Sequence, residues 1–149
     1  MDMTGEVRIP APRSKVWSAL NDPEILKQCI PGCEEIVKSS DTEMSAKVRA
    51  RVGPVSANFS GKVTLSDLDP PHGYKISGQG DGGVAGFAKG GATVKLTPKD
   101  GGTLLSYDVD AQIGGKLAQL GQRLVNGAAK KVADDFFTNF AAAVNPKAA

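Results

Sequence analysis

The chain has 149 residues, 40% of them apolar and 23% charged, with a formal net charge of +2. That length suits one domain with its own core, and the balance excludes an extended disordered chain. Basic residues alternate with acidic ones and form no stripe that could follow a phosphate backbone, so nucleic acid is not expected as a partner.

Residues 1–8 lack the apolar core of a signal peptide, and no stretch approaches the roughly 18 apolar residues of a membrane-spanning helix. The two cysteines, Cys29 and Cys33, are too few for a disulfide framework, and the expected location is cytoplasmic. The expected organisation is one domain over residues 1–145 and a short tail over residues 146–149.

In chain order, residues 3–10 alternate weakly and predict a first strand. The period then becomes helical, with Val16, Trp17 and Leu20 on one face, until Asn21, Asp22 and Pro23 stop the helix. Pro23 suits the first turn of a second short helix over residues 24–29, which Pro31 and Gly32 close. Residues 35–38 predict a short strand. Met44, Ala46, Val48, Ala50 and Val52 then alternate with Ser45, Lys47, Arg49 and Arg51, the pattern of a half-buried strand. After the Gly53-Pro54 turn, a return strand sets Val55, Ala57, Phe59, Gly61, Val63 and Leu65 on one face. Tyr74, Ile76 and Gly78 mark the next strand, another lies between Gly83 and Lys99, and a last one alternates Leu105, Tyr107, Val109, Ala111 and Ile113. Beyond Gly114 and Gly115, Leu117, Leu120, Leu124, Ala128, Val132, Phe136 and Phe140 recur at helical spacing and predict one long helix.

Sequential strands joined by short turns form an antiparallel meander, so the fold class is α+β. The expected architecture is a curved antiparallel sheet of about seven strands wrapped around the long C-terminal helix, with two short helices after the first strand.

A solid interior in such a fold needs large inward side chains. The inward positions here include Ala46, Ala50, Ala57, Gly61, Gly78, Gly80 and Ala111, and residues 86–92 are small as well. An internal apolar cavity is therefore expected, at the end of the helix near Leu117 to Leu124 and away from Phe136, Phe137 and Phe140. Its expected lining is Met44, Val48, Phe59, Ile76, Phe87 and Tyr107 from the sheet and Leu117, Leu120 and Leu124 from the helix. The alternative is that small residues only let the sheet bend and the helix pack close.

Catalytic constellations are missing. His72 is the only histidine and falls in a turn, which leaves no Ser-His-Asp or Cys-His arrangement. Cys29 and Cys33 have no further soft ligand and read as free thiols, so no metal site and no cofactor are expected. The glycine-rich run from Gly78 to Gly83 precedes a strand and lacks a Lys-Ser/Thr pair, so it fails as a phosphate loop.

Several separated motifs resemble the G-subunit family of carbon monoxide dehydrogenase, within the START-like (SRPBCC, helix-grip) superfamily. They are Asp22-Pro23, Cys29-Ile30-Pro31-Gly32-Cys33-Glu34, Gly53-Pro54-Val55, Phe59-Ser60-Gly61-Lys62-Val63, Gly86-Phe87-Ala88-Lys89-Gly90 and the run from Gly114 to Leu124. The resemblance implies a non-catalytic accessory protein of a molybdenum hydroxylase of the aerobic carbon monoxide dehydrogenase type. Such a protein would help to couple or recruit that enzyme to the membrane or respiratory chain. Joined to the cavity reading, it implies a lipid or isoprenoid quinone as the apolar ligand and molybdenum hydroxylase subunits as protein partners. It also implies that Ile30, Pro31 and Gly32 shape a loop over the cavity mouth. Many family members carry a C-terminal apolar anchor. This chain stops at Ala149, so placement at the inner face of the membrane is expected only through a partner or a missing extension. The alternatives are an assembly factor with an incidental cavity, and a small cyclase or hydratase that uses a polar pair such as Tyr107 with a serine or arginine.

Overall fold

Strand β1 (Asp2–Ile9) and two short helices, α1 (Arg13–Leu20) and α2 (Pro23–Cys29), come first in the computed structural model, which describes residues 1–145. The predicted tail, residues 146–149, lies outside the described residues. Strands β2 (Cys33–Ser40), β3 (Glu43–Val52), β4 (Val55–Asp69), β5 (Gly73–Asp81), β6 (Phe87–Lys99) and β7 (Gly102–Gly114) follow, and a single 3₁₀ turn (Gly83–Ala85) separates β5 from β6. All pairings are antiparallel, in the order β1-β7-β6-β5-β4-β3-β2. The chain therefore passes from one sheet edge to the other through α1 and α2.

Local chemistry accounts for these boundaries. Pro12 is extended ahead of α1, and its carbonyl accepts the Val16 amide at 3.0 Å. Asp22 caps α2, its carboxylate accepting the Glu24 amide at 3.0 Å, with Pro23 in the first turn where no amide is needed. The β3 alternation persists residue by residue, with Met44, Ala46, Val48, Ala50 and Val52 half-buried on the inner face and Ser45, Lys47, Arg49 and Arg51 turned outward.

The long helix differs from its expectation. In place of one helix there are two, α3 (Lys116–Gln119) and α4 (Gln122–Val144). Gly121 divides them at φ 92°, ψ 150°, a conformation that side chains strongly disfavour. Helix α4 then crosses the concave face of the sheet. At its C-terminal end Phe140 and Val144 pack with Ile9, Val16 and Leu105, each at most 1% exposed. Burying one such large side chain contributes about 1.5–3 kcal/mol. Two amides fasten this end. Asn139 Nδ2 donates to the Cys29 carbonyl at 3.1 Å, and Asn145 Nδ2 donates to the Pro10 carbonyl at 2.6 Å. The first of these bonds holds the end of α2 to α4 and so places the loop that begins at Ile30.

Candidate functional site: an apolar cavity under the C-terminal helix

Between the inner face of the sheet and α4 lies a cavity of about 390 Å³, within the usual range of small-molecule sites. The sheet contributes Ile36, Met44, Val63, Ile76, Ala92 and Leu105, and α4 contributes Ala129, Val132, Ala133, Phe136 and Phe137. Leu26, Ile30 and Pro31 close it from the α2 side. Val132 lines the space while 48% exposed, which places an opening along this flank of the helix. The space exists because Ala129 and Ala133 face the sheet one helical turn apart, and no bulky side chain opposite fills the gap.

Three of the lining residues carry a side-chain oxygen, Ser45, Tyr74 and Tyr107, and the Ser45 side chain turns to the outer face of β3. No carboxylate, imidazole, amine or guanidinium is among the lining groups. Tyr107 stacks on Phe137 with centroids 5.4 Å apart, and its hydroxyl lies over Gly5 of β1, where a side chain would collide with it. Beyond Tyr107 and Met3 is a polar recess of about 210 Å³ that includes Asp2, Thr4, Asn126 and Lys130. Tyr74 is buried at 6% exposure with Trp17 edge-on at 5.3 Å, and burial pushes its phenol up to about 12. A separate groove on the outer face of the sheet, over Gly61, is lined by charged residues, among them the Glu35–Lys47 ion pair at 3.6 Å.

Of the residues expected at the cavity, Met44, Ile76 and Tyr107 line it, as do Ile30 and Pro31 from the loop. Gly32 does not. It stands at φ 76° against the Arg49 carbonyl, and its own carbonyl accepts the Arg49 amide at 2.9 Å, so it anchors the loop to β3. Val48 and Phe59 face each other across β3 and β4 on the inner side but nearer the hairpin, and the Phe59 ring covers Gly82. Phe87 points outward. It pairs with Gly114, and its ring, 41% exposed, occupies the outer face that this glycine leaves bare. Leu117 is buried in α3 beside β7 and the 3₁₀ turn. Leu120 ends α3, and Leu124 is 43% exposed against the hairpin tip at Gly53. The cavity therefore sits toward the phenylalanine end of the helix and not at Leu117 to Leu124. The break at Gly121 removes Leu117 and Leu120 from the helix that spans the sheet. The periodicity does not single out Ala129, Ala133, Phe136 and Phe137 as lining, because it gives no measure of where α4 crosses the sheet, and there the two phenylalanines form a wall and the two alanines leave space.

Cys29 is buried and Cys33 half-buried, both thiols free and both pushed up by burial. Among the described residues no group of three His, Cys, Asp or Glu side chains is placed to hold a metal. His72 sits in its turn with Nδ1 3.5 Å from Asp69, outside the cavity lining. Among the described residues no helix is long and apolar enough to cross a membrane.

No curated protein matches the chain. Among solved structures, a conserved protein from Geobacillus kaustophilus is 32% identical with a TM-score of 0.90, covering 97% of this chain and 95% of that one. Protein CV1439 from Chromobacterium violaceum is 16% identical with a TM-score of 0.74, covering 97% and 98%. The ZhuI aromatase/cyclase from Streptomyces sp. R1128 is 13% identical with a TM-score of 0.67, covering 100% and 96%, a likeness of fold alone. Residues 5–145 match the family described as the G subunit of carbon monoxide dehydrogenase (CoxG). With its antiparallel seven-stranded sheet gripping a C-terminal helix, the chain belongs to the CoxG family of carbon monoxide dehydrogenase G subunits.

Proposed function

We propose that this chain is a non-catalytic accessory protein of a molybdenum hydroxylase of the aerobic carbon monoxide dehydrogenase type. It holds an apolar small molecule, a lipid or isoprenoid quinone, under α4 and helps couple the enzyme to the membrane or respiratory chain. The observation that carries this reading is the cavity of about 390 Å³ whose lining holds no ionisable group other than tyrosine. Such a lining favours an apolar guest and offers no general acid or base that works near neutral pH. Family membership supports the partner enzyme. A docking surface is supported at the far end of the molecule, where Val84 and Phe87 are 85% and 41% exposed. Lys89, Lys116 and Arg123 lie on the neighbouring elements and, among the described residues, form no ion pair.

The test is mass spectrometry of organic extracts from the protein purified from its native host. A lipid or quinone in stoichiometric amount supports the reading, and an empty protein after gentle purification overturns it.

A further inference from the structure

Tyr74 and Tyr107 belong to one row of the sheet. Tyr74 is opposite Val94 on β6, and Val94 is opposite Tyr107 on β7, so both tyrosines share the inner face with their backbones about 10 Å apart. Their hydroxyls differ in surroundings. That of Tyr107 lies over Gly5, and Tyr107 also borders the polar recess with Asp2, Thr4, Asn126 and Lys130. Tyr74 is 6% exposed and lines the apolar cavity, and among the described residues its hydroxyl makes no hydrogen bond. No fully enclosed side-chain oxygen or nitrogen among the described residues goes without a partner, so this hydroxyl retains some accessible surface, and Tyr74 also borders a polar surface groove with Arg13, Asp69 and His72. A buried phenol with no protein partner is uncommon, and almost all the groups around the cavity are aliphatic or aromatic.

We infer that Tyr74 is the specificity-determining donor of the cavity, selecting guests that carry an acceptor oxygen, carbonyl or ether, within an otherwise apolar body. A guest oxygen seated beside the Tyr74 hydroxyl would accept its hydrogen bond, which a plain hydrocarbon could not do. The protonated phenol can donate its O–H to a carbonyl or ether oxygen, which has no proton of its own to offer in return. The inference rests on the cavity being a ligand site, as proposed above, and adds the chemical class of the guest.

The experiment compares 2-undecanone with undecane, both delivered from cyclodextrin. Binding is read by calorimetry and by the fluorescence of Trp17, the only tryptophan. Wild type is expected to prefer the ketone, and Tyr74→Phe to lower ketone affinity about fivefold to tenfold while leaving the alkane unchanged. Tyr107→Phe should keep the ketone-to-alkane ratio within about twofold. The unliganded Tyr74→Phe protein should melt no lower than wild type, since its hydroxyl has no protein partner to lose. Equal affinity for both probes with no effect of Tyr74→Phe overturns the inference and leaves the cavity reading standing. So does a lowered melting temperature of unliganded Tyr74→Phe, which would show the hydroxyl to be satisfied already. Failure of wild type to bind either probe overturns the cavity reading and the inference with it.

Discussion

Tyr107 on β7 and Phe137 on α4 stack with centroids 5.4 Å apart and planes inclined by 20°. Phe137 in turn stands edge-on to Phe136 at 5.0 Å, and Phe136 stacks on Phe140 at 5.7 Å. The aromatic chain runs from the cavity wall into the core, so the same helix both bounds the empty space and anchors the fold.

The two parts of α4 should separate under mutation. Phe140→Ala removes a fully buried ring and is expected to cost about 3–5 kcal/mol by urea unfolding. Ala133→Phe projects into the cavity and should change stability by less than about 1 kcal/mol, below the usual cost of overpacking a solid core, while abolishing uptake of a fluorescent fatty acid. Leu124→Gln, remote from the cavity and 43% exposed, should alter neither property measurably. If Ala133→Phe unfolds the domain as severely as Phe140→Ala, the space under α4 is too small to admit a guest.

Tyr74 predicts an alkaline loss of stability. The folded phenol titrates at about 12 against an ordinary 10. Below pH 10 both folded and unfolded chains hold the proton. As pH rises further, the unfolded chain releases it while the fold retains it, so stability falls until about pH 12. The loss from this residue is on the order of 2–3 kcal/mol over that window. Urea titrations between pH 9 and pH 11 should show a shallower decline in Tyr74→Phe than in wild type.

The two thiols should behave differently. Cys29 is 1% exposed in the core, so Cys29→Ser buries a hydroxyl and is expected to cost about 1–3 kcal/mol. Cys33→Ser, at a half-buried strand end, should stay within about 0.5 kcal/mol. Alkylation at pH 7.5 should label Cys33 first and reach Cys29 only at the rate of unfolding, which peptide mapping would resolve.

Two glycines, one at the α3–α4 junction and one within α4, make opposite predictions. Gly121→Ala forces a side chain into φ 92° at the α3–α4 junction and should destabilise by about 1–3 kcal/mol. Gly127→Ala lies within α4, where the added methyl would meet no neighbour within 4 Å, and should stabilise by about 0.5–1 kcal/mol. Thermal melts of the two variants, moving in opposite directions, check both.

The order of elements was legible in the sequence because it depends on local periods. The alternation from Met44 to Val52, the Pro23 helix start and the Gly53-Pro54 turn each act within a few residues, and the structure keeps all three. The apolar inner face of β3 was legible too, since it follows from counting by twos, but of the small inward residues named from the sequence only Ala46, with Ala92 from the run 86–92, borders the space under α4. The location of the space was not. It depends on where α4 crosses the sheet, which Phe140, Val144 and the bonds from Asn139 and Asn145 decide across more than a hundred residues of chain. The outward turn of Phe87 depends on its pairing with Gly114 on another strand. The unpartnered Tyr74 hydroxyl depends on its neighbours being apolar all at once. Periodicity reports which face a residue shares with its chain neighbours, whereas long-range packing alone decides what stands opposite that face.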